Sequence, residues 1–82
     1  MKEIEWTETA LNDMKALEAP IMKRIRLAIE RFASSGAGNI RKMQGIEPPE
    51  YRLRVGDYRV RFELAVKTIR ILRVRHRREI YR

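Results

Sequence analysis

The 82-residue chain contains no cysteine, so disulfides and thiolate metal sites are excluded. It has one histidine and no acidic cluster, and neither a metal nor a cofactor is expected. No apolar run approaches the ~18 residues that a membrane span needs. The opening MKEIEW has no apolar core and no cleavage pattern, so a cytoplasmic protein without a signal peptide is expected. Without cysteine, and with His76 lacking a serine partner at a signature spacing, no hydrolase triad can be assembled. A glycine-rich phosphate loop is missing too: Ser35-Gly36-Ala37-Gly38 follows a helical pattern, whereas such loops precede one.

What is present is positive charge, unevenly spread. From Glu50 to Arg82 there are 11 Lys+Arg against 4 Asp+Glu, and from Met1 to Pro49 there are 8 against 7. Ten of the 11 cations in the second stretch are arginines. The net charge is +8 and the pI is about 10.6, which points to a polyanionic partner. This length makes one domain, residues 1–82, with one modest core.

The apolar spacing predicts the elements. Lys2 to Trp6 alternates and reads as a strand. Thr7 is the expected N-cap of a helix from Glu8 to Glu18, with Leu11, Met14 and Leu17 on its apolar face. Ala19-Pro20 breaks the pattern, and a second helix runs from Pro20 to Ser34 on Ile21, Ile25, Ala28, Ile29 and Phe32. The segment 34–39 is a loop, Ile40 to Gly45 is short and basic, and Glu47-Pro48-Pro49-Glu50 is a further break. Tyr51, Leu53 and Val55 alternate with Arg52 and Arg54. Gly56-Asp57 suits a tight hairpin turn. Tyr58, Val60, Phe62 and Leu64 then alternate with Arg59, Arg61 and Glu63. Ile69, Ile71, Leu72 and Val74 form a third strand whose phase shifts at Ile71-Leu72, as at a bulge or in a strand buried on both faces. Arg75 to Arg82 is a basic tail. The expected fold is α+β, in the order β-α-α-β-β-β, with a helical hairpin on a small antiparallel sheet. Trp6, Tyr51 and Tyr58 are expected to pack in the core.

Alternation sets the arginines on one surface. With the hairpin closed at Gly56-Asp57, Arg52, Arg54, Arg59 and Arg61 share the face opposite the helices. Like charges that close repel, and an anion among them is the simplest compensation. For any single arginine a merely solvated position is the simpler account. For the set it is weaker, because solvated faces mix signs and use lysine freely. Arg59 alternates away from the core, so its truncation is expected to cost little stability. His76 and Tyr81 are the remaining groups able to move protons or stack on a base.

Met43-Gln44-Gly45, Tyr51-Arg52-Leu53-Arg54, Gly56-Asp57-Tyr58-Arg59-Val60 and Val74-Arg75-His76-Arg77-Arg78-Glu79-Ile80-Tyr81 together resemble the RelE toxins of the RelE/ParE toxin–antitoxin superfamily. The resemblance spans essentially the whole chain; Met43 stands where leucine is commoner. It implies a toxin that enters the ribosomal A site, cuts mRNA there without a metal and stops translation, and that a cognate RelB-like antitoxin wraps and neutralises. It assigns catalytic roles to Arg59, to Arg75 or Arg77, and to Tyr81, with His76 behind it as a proton carrier. It places the family's two basic strand positions on Arg52 and Arg54, and the arginine-rich strands and tail add Arg61, Arg73 and Arg78 as further candidate RNA contacts. Well-studied members carry lysines where this chain has Arg52 and Arg54, and guanidinium groups are poor proton donors. That shifts proton transfer toward Tyr81 and His76. Two other classes share the fold: a non-catalytic RNA- or ribosome-binding module, and a ParE-like inhibitor of DNA gyrase, which usually lacks the His-Arg…Tyr ending.

Overall fold

The computed structural model describes residues 1–80. The elements are β1 (Glu3–Trp6), α1 (Glu8–Lys15), α2 (Ala19–Ser35), β2 (Asn39–Lys42), β3 (Tyr51–Val55), β4 (Tyr58–Leu64), β5 (Thr68–His76) and a short α3 (Arg77–Ile80). The five strands form one sheet in the order β1-β5-β4-β3-β2, and α1 and α2 cover one face of it.

Local chemistry explains the boundaries. Thr7 caps α1 by accepting a hydrogen bond from the Ala10 amide, which satisfies one of the donors a helix start leaves open. Pro20 sits in the first turn of α2, where a missing N–H costs nothing. Gly36 ends α2 at φ 75, and its amide bonds the Phe32 carbonyl, the left-handed closure that glycine tolerates best. Gly56 takes φ +59 between the paired residues Val55 and Tyr58, and a Cβ there would also lie 3.0 Å from the Arg24 guanidinium.

The core is the layer between helices and sheet. Ile25, Ile29 and Ala33 of α2 and Ala10 and Met14 of α1 are buried against Leu53, Val55, Val60, Phe62, Ile69, Ile71 and Val74. Phe62 lies at its centre, its ring centroid 5.3 Å from that of Phe32 and 5.8 Å from that of Tyr51. Trp6, Tyr51 and Tyr58 pack against this cluster as expected.

The α+β class and the helical hairpin packed on the sheet are the expected ones, with four corrections of detail. The sheet is mixed and not wholly antiparallel, because β1 pairs in parallel with β5, Glu3 opposite Thr68 through Trp6 opposite Ile71. Asn39–Lys42 forms an additional edge strand on β3; with Ile40 as its only apolar residue, it is too short to show a period. Helix α1 stops at Lys15, and Leu11 is exposed while Ala10 and Met14 face inward. The third predicted strand continues through His76 before α3 begins. The phase shift at Ile71-Leu72 is a bulge: Arg61 pairs with Arg73 but Phe62 pairs with Ile71, which leaves Leu72 as the extra residue.

Replacing Phe62 by alanine is expected to cost about 3–5 kcal/mol, the usual cost for a buried aromatic. Leu27 is half exposed on α2, and Leu27→Ala should stay within about 0.5 kcal/mol of the parent. Urea unfolding of the two variants measures both.

Candidate nucleic-acid interface

The open face of the sheet carries two rows of residues in register across four strands. One row is Asn39, Arg54, Arg59 and Arg75; the next is Arg41, Arg52, Arg61 and Arg73. Neighbouring strands lie about 4.8 Å apart, so each row is a ladder of side chains close enough to share one anionic group. A cleft of 140 Å³ opens among Asn39, Arg41, Arg52, Arg54 and Arg59.

Carboxylates divide the rows. Arg61 donates through Nε and Nη2 to one Glu50 oxygen, at 3.1 and 2.7 Å. Arg73 forms a two-pronged bridge to Asp13, with Nε to Oδ2 at 3.0 Å and Nη2 to Oδ1 at 3.3 Å. Farther down the face, Arg70 lies between Glu5 and Glu63. Arg61 and Arg73, expected to touch RNA, thus already have acidic partners and serve the sheet's own cohesion. Among the described residues, Arg41, Arg54 and Arg59 have no carboxylate partner within ion-pair range.

Arg59 is the unusual member. The alternation places it on the open face as expected, yet it is only 8% exposed. Its Nη1 donates to the carbonyl oxygens of Gly56 and Tyr58, both at 3.0 Å. These bonds curl the guanidinium back over the hairpin turn and hold it still. The expectation that Arg59 is cheap to truncate is therefore revised, since its loss strips two carbonyls of their donor. A cation held this deep, bonded to neutral carbonyls, is desolvated without compensation and attracts an anion strongly.

His76 lies elsewhere. Val74 and His76 point to the helix side, while Arg73 and Arg75 point to the open face. The His76 ring meets Tyr58 edge-on at 5.3 Å, and its Nδ1 accepts the Arg78 amide at 3.2 Å. It lines a separate cleft with Asn12, Asp13, Ala16, Leu17, Tyr58, Val74 and Arg75. His76 thus faces away from Arg54 and Arg59, and Arg75 is the member of their row that also borders its cleft. Arg77 and Arg78 begin α3, and the Arg77 amide is fixed by the Asp57 carbonyl at 2.7 Å. Tyr81 lies outside the described residues. Sequence reasoning missed Asn39 and Arg41, because their strand carried too little pattern, and Glu50 and Asp13, whose partners are 11 and 60 residues distant.

Comparisons with known proteins place the sequence and the fold. The model of the family described as ParE toxin of type II toxin-antitoxin system, parDE, matches residues 4–81. Toxin RelE3 of Methanocaldococcus jannaschii is 38% identical over 81 residues, covering 93% of this chain and 91% of the relative. The crystal structure of a RelB-RelE antitoxin-toxin complex from Methanococcus jannaschii contains a chain that superposes with a TM-score of 0.77 at 36% identity, covering 94% of each. The fold also matches YafQ from E. coli, with a TM-score of 0.78 at 13% identity over the full length of both.

Inorganic phosphate is expected to stabilise the folded state by mass action, by about 2.7 kcal/mol at a hundred times its dissociation constant, and so to raise the unfolding midpoint. Arg59→Met should lose most of that response. Thermal unfolding across a phosphate series, with chloride holding the ionic strength constant, measures it.

Proposed function

The chain belongs to the RelE/ParE family of type II toxin–antitoxin toxins, as a RelE-type member, and we propose that it is a ribosome-dependent endoribonuclease that cuts mRNA in the A site. The observation that carries this reading is the buried, carbonyl-held guanidinium of Arg59 between Arg54 and Arg75. Such a row fits a phosphate that gains negative charge during reaction.

In the chemistry proposed, the ribose 2′-OH attacks the adjacent phosphate in line and the 5′-oxygen leaves with a proton. The products are a 2′,3′-cyclic phosphate, or the 3′-phosphate it hydrolyses to, and a 5′-OH. Arg59 is already oriented before substrate arrives, so it stabilises the pentacoordinate phosphate without reorganising. Arg54 and Arg75 flank it one strand away on either side. Arg52, Arg41 and Asn39 extend the surface along the RNA backbone. Phosphate contacts of this kind position the strand and carry no base information. The 2′-OH proton needs a base that arginine cannot supply. Tyr81 is assigned that role from its place in the HRREIY ending, since His76 faces the helix side. The protein acts in the cytoplasm, and its partner in the resting cell is a cognate acidic antitoxin like the RelB seen with the archaeal relative. A charge of +8 steers such a partner toward the arginine face.

The family model's ParE description supports a second reading, inhibition of DNA gyrase. Primer extension on mRNA from arrested cells separates the two. Cuts at ribosome-occupied codons are the expected result, and intact mRNA with broken or knotted DNA is the outcome for gyrase. Arg59→Ala is expected to slow cleavage by about 10²–10³-fold, as does loss of one preorganised donor to a developing oxyanion.

Tyr81→Phe should slow single-turnover cleavage on ribosomes by roughly 10²–10⁴-fold if its hydroxyl is the base. A silent Tyr81→Phe beside a damaged Tyr81→Ala would make the ring a stacking platform instead.

A further inference from the structure

Strand β5 changes its facing halfway along. Ile69 and Ile71 point to the core, and Arg70 points to the open face opposite Glu63. Plain alternation from Ile71 would turn Arg73 and Arg75 inward and Val74 outward. The extra residue Leu72 reverses the phase. Val74 returns to the core opposite Val60, and Arg73 and Arg75 face outward opposite Arg61 and Arg59. The bulge is therefore what brings Arg75 into the row.

A bulge also breaks the ladder, and this one lies where β5 loses its second neighbour. Pairing with β1 ends at Trp6 opposite Ile71. Beyond that point the outer edge of β5 is met by α1 instead. The Thr7 amide and hydroxyl both donate to the Ile71 carbonyl, at 3.1 and 2.8 Å, and the hydroxyl lies 3.2 Å from the Leu72 carbonyl. Six residues on, Asp13 Oδ2 accepts the Val74 amide at 2.9 Å while both carboxylate oxygens hold Arg73. One helix thus grips the strand immediately before and immediately after the extra residue.

We propose that Thr7 and Asp13 are positioning residues for the RNA-cleaving site, clamping the β5 bulge so that Arg75 stands opposite Arg59. The proposal rests on the endoribonuclease reading for its kinetic consequence and on the bulge geometry alone for its structural one. Asp13 touches no RNA in this scheme. Its carboxylate replaces the missing strand neighbour of Val74 and neutralises Arg73, fixing the stretch of β5 that sets Arg75 opposite Arg59.

The test combines kinetics with two structural readouts on the isolated toxin. In Asp13→Ala, the Val74 amide should exchange with solvent several-fold faster, and the backbone nuclear Overhauser contact between Arg59 and Arg75 should weaken. Single-turnover cleavage at saturating ribosome should fall by about ten- to a hundredfold, the scale of an ångström-sized misplacement, with ribosome affinity unchanged. That loss should vanish in an Arg75→Ala background and persist in full in an Arg54→Ala background. Thr7→Val should behave as Asp13→Ala does, and Thr7→Ser as the parent. If Asp13→Ala does not fold, Asp13→Asn and Thr7→Val carry the same measurements. Equal losses in both backgrounds, or an unchanged Val74 amide and Arg59–Arg75 contact, overturn the proposal. A parent protein that cuts no RNA overturns the endoribonuclease reading, and the two structural readouts then decide the clamp by themselves.

Discussion

Strand β5 must satisfy two neighbours of opposite direction and a helix, and the arrangement of the open face depends on how it does so. Its first half is held between β1 and β4, with its apolar side chains in the core. Its second half has β4 on one side and α1 on the other. The extra residue at Leu72 lets both halves send apolar groups inward although the spacing between Ile71 and Val74 is odd. Bulges increase local twist and re-aim side chains, and here the result is an arginine placed beside Arg59. The sheet pays for the unpaired stretch with the hydroxyl of Thr7 and the carboxylate of Asp13.

The electrostatics of the open face follow from where its acids fall. Glu5, Glu63 and Arg70 balance one end, and Glu50 and Asp13 take up Arg61 and Arg73. Among the described residues, Arg41, Arg54 and Arg59, all bordering one cleft, are then the open-face cations with no carboxylate in ion-pair range. Partly buried ion pairs add little net stability when desolvation is counted. Their value here is spatial, because they prevent the cationic field from spreading over the whole sheet. A phosphate approaching the face meets one strong site and not a diffuse plane.

That site carries a cost in the free protein. Arg59 is desolvated against carbonyl dipoles alone, and its cross-strand neighbours Arg54 and Arg75 have the same sign. Burial of a cation without a counter-charge is destabilising, and functional sites commonly hold such strain in preorganised form. The core under the hairpin, built on Phe62, Val60 and Leu53, keeps the turn closed despite it. The same uncompensated charge gives an acidic partner protein an electrostatic route to the same surface.

Alternation and composition determined much of this protein. The runs YRLRV and YRVRFEL could bury only one face each, so their arginines had to share the other, and the odd step at Ile71-Leu72 already marked a break in phase. Capping by Thr7 and the stops at Gly36 and Gly56 are local chemistry and could be read directly. Tertiary structure decided what depends on distant partners. The parallel pairing of β1, the addition of Asn39–Lys42 as an edge, and the carboxylates that claim Arg61 and Arg73 all join residues far apart in the chain. The burial of Arg59 was equally illegible, because a strand's period tells which face a side chain takes and not how deeply neighbouring strands and a tight turn enclose it. His76 shows the same limit: its sequence neighbours are site arginines, but a strand sends neighbours to opposite faces.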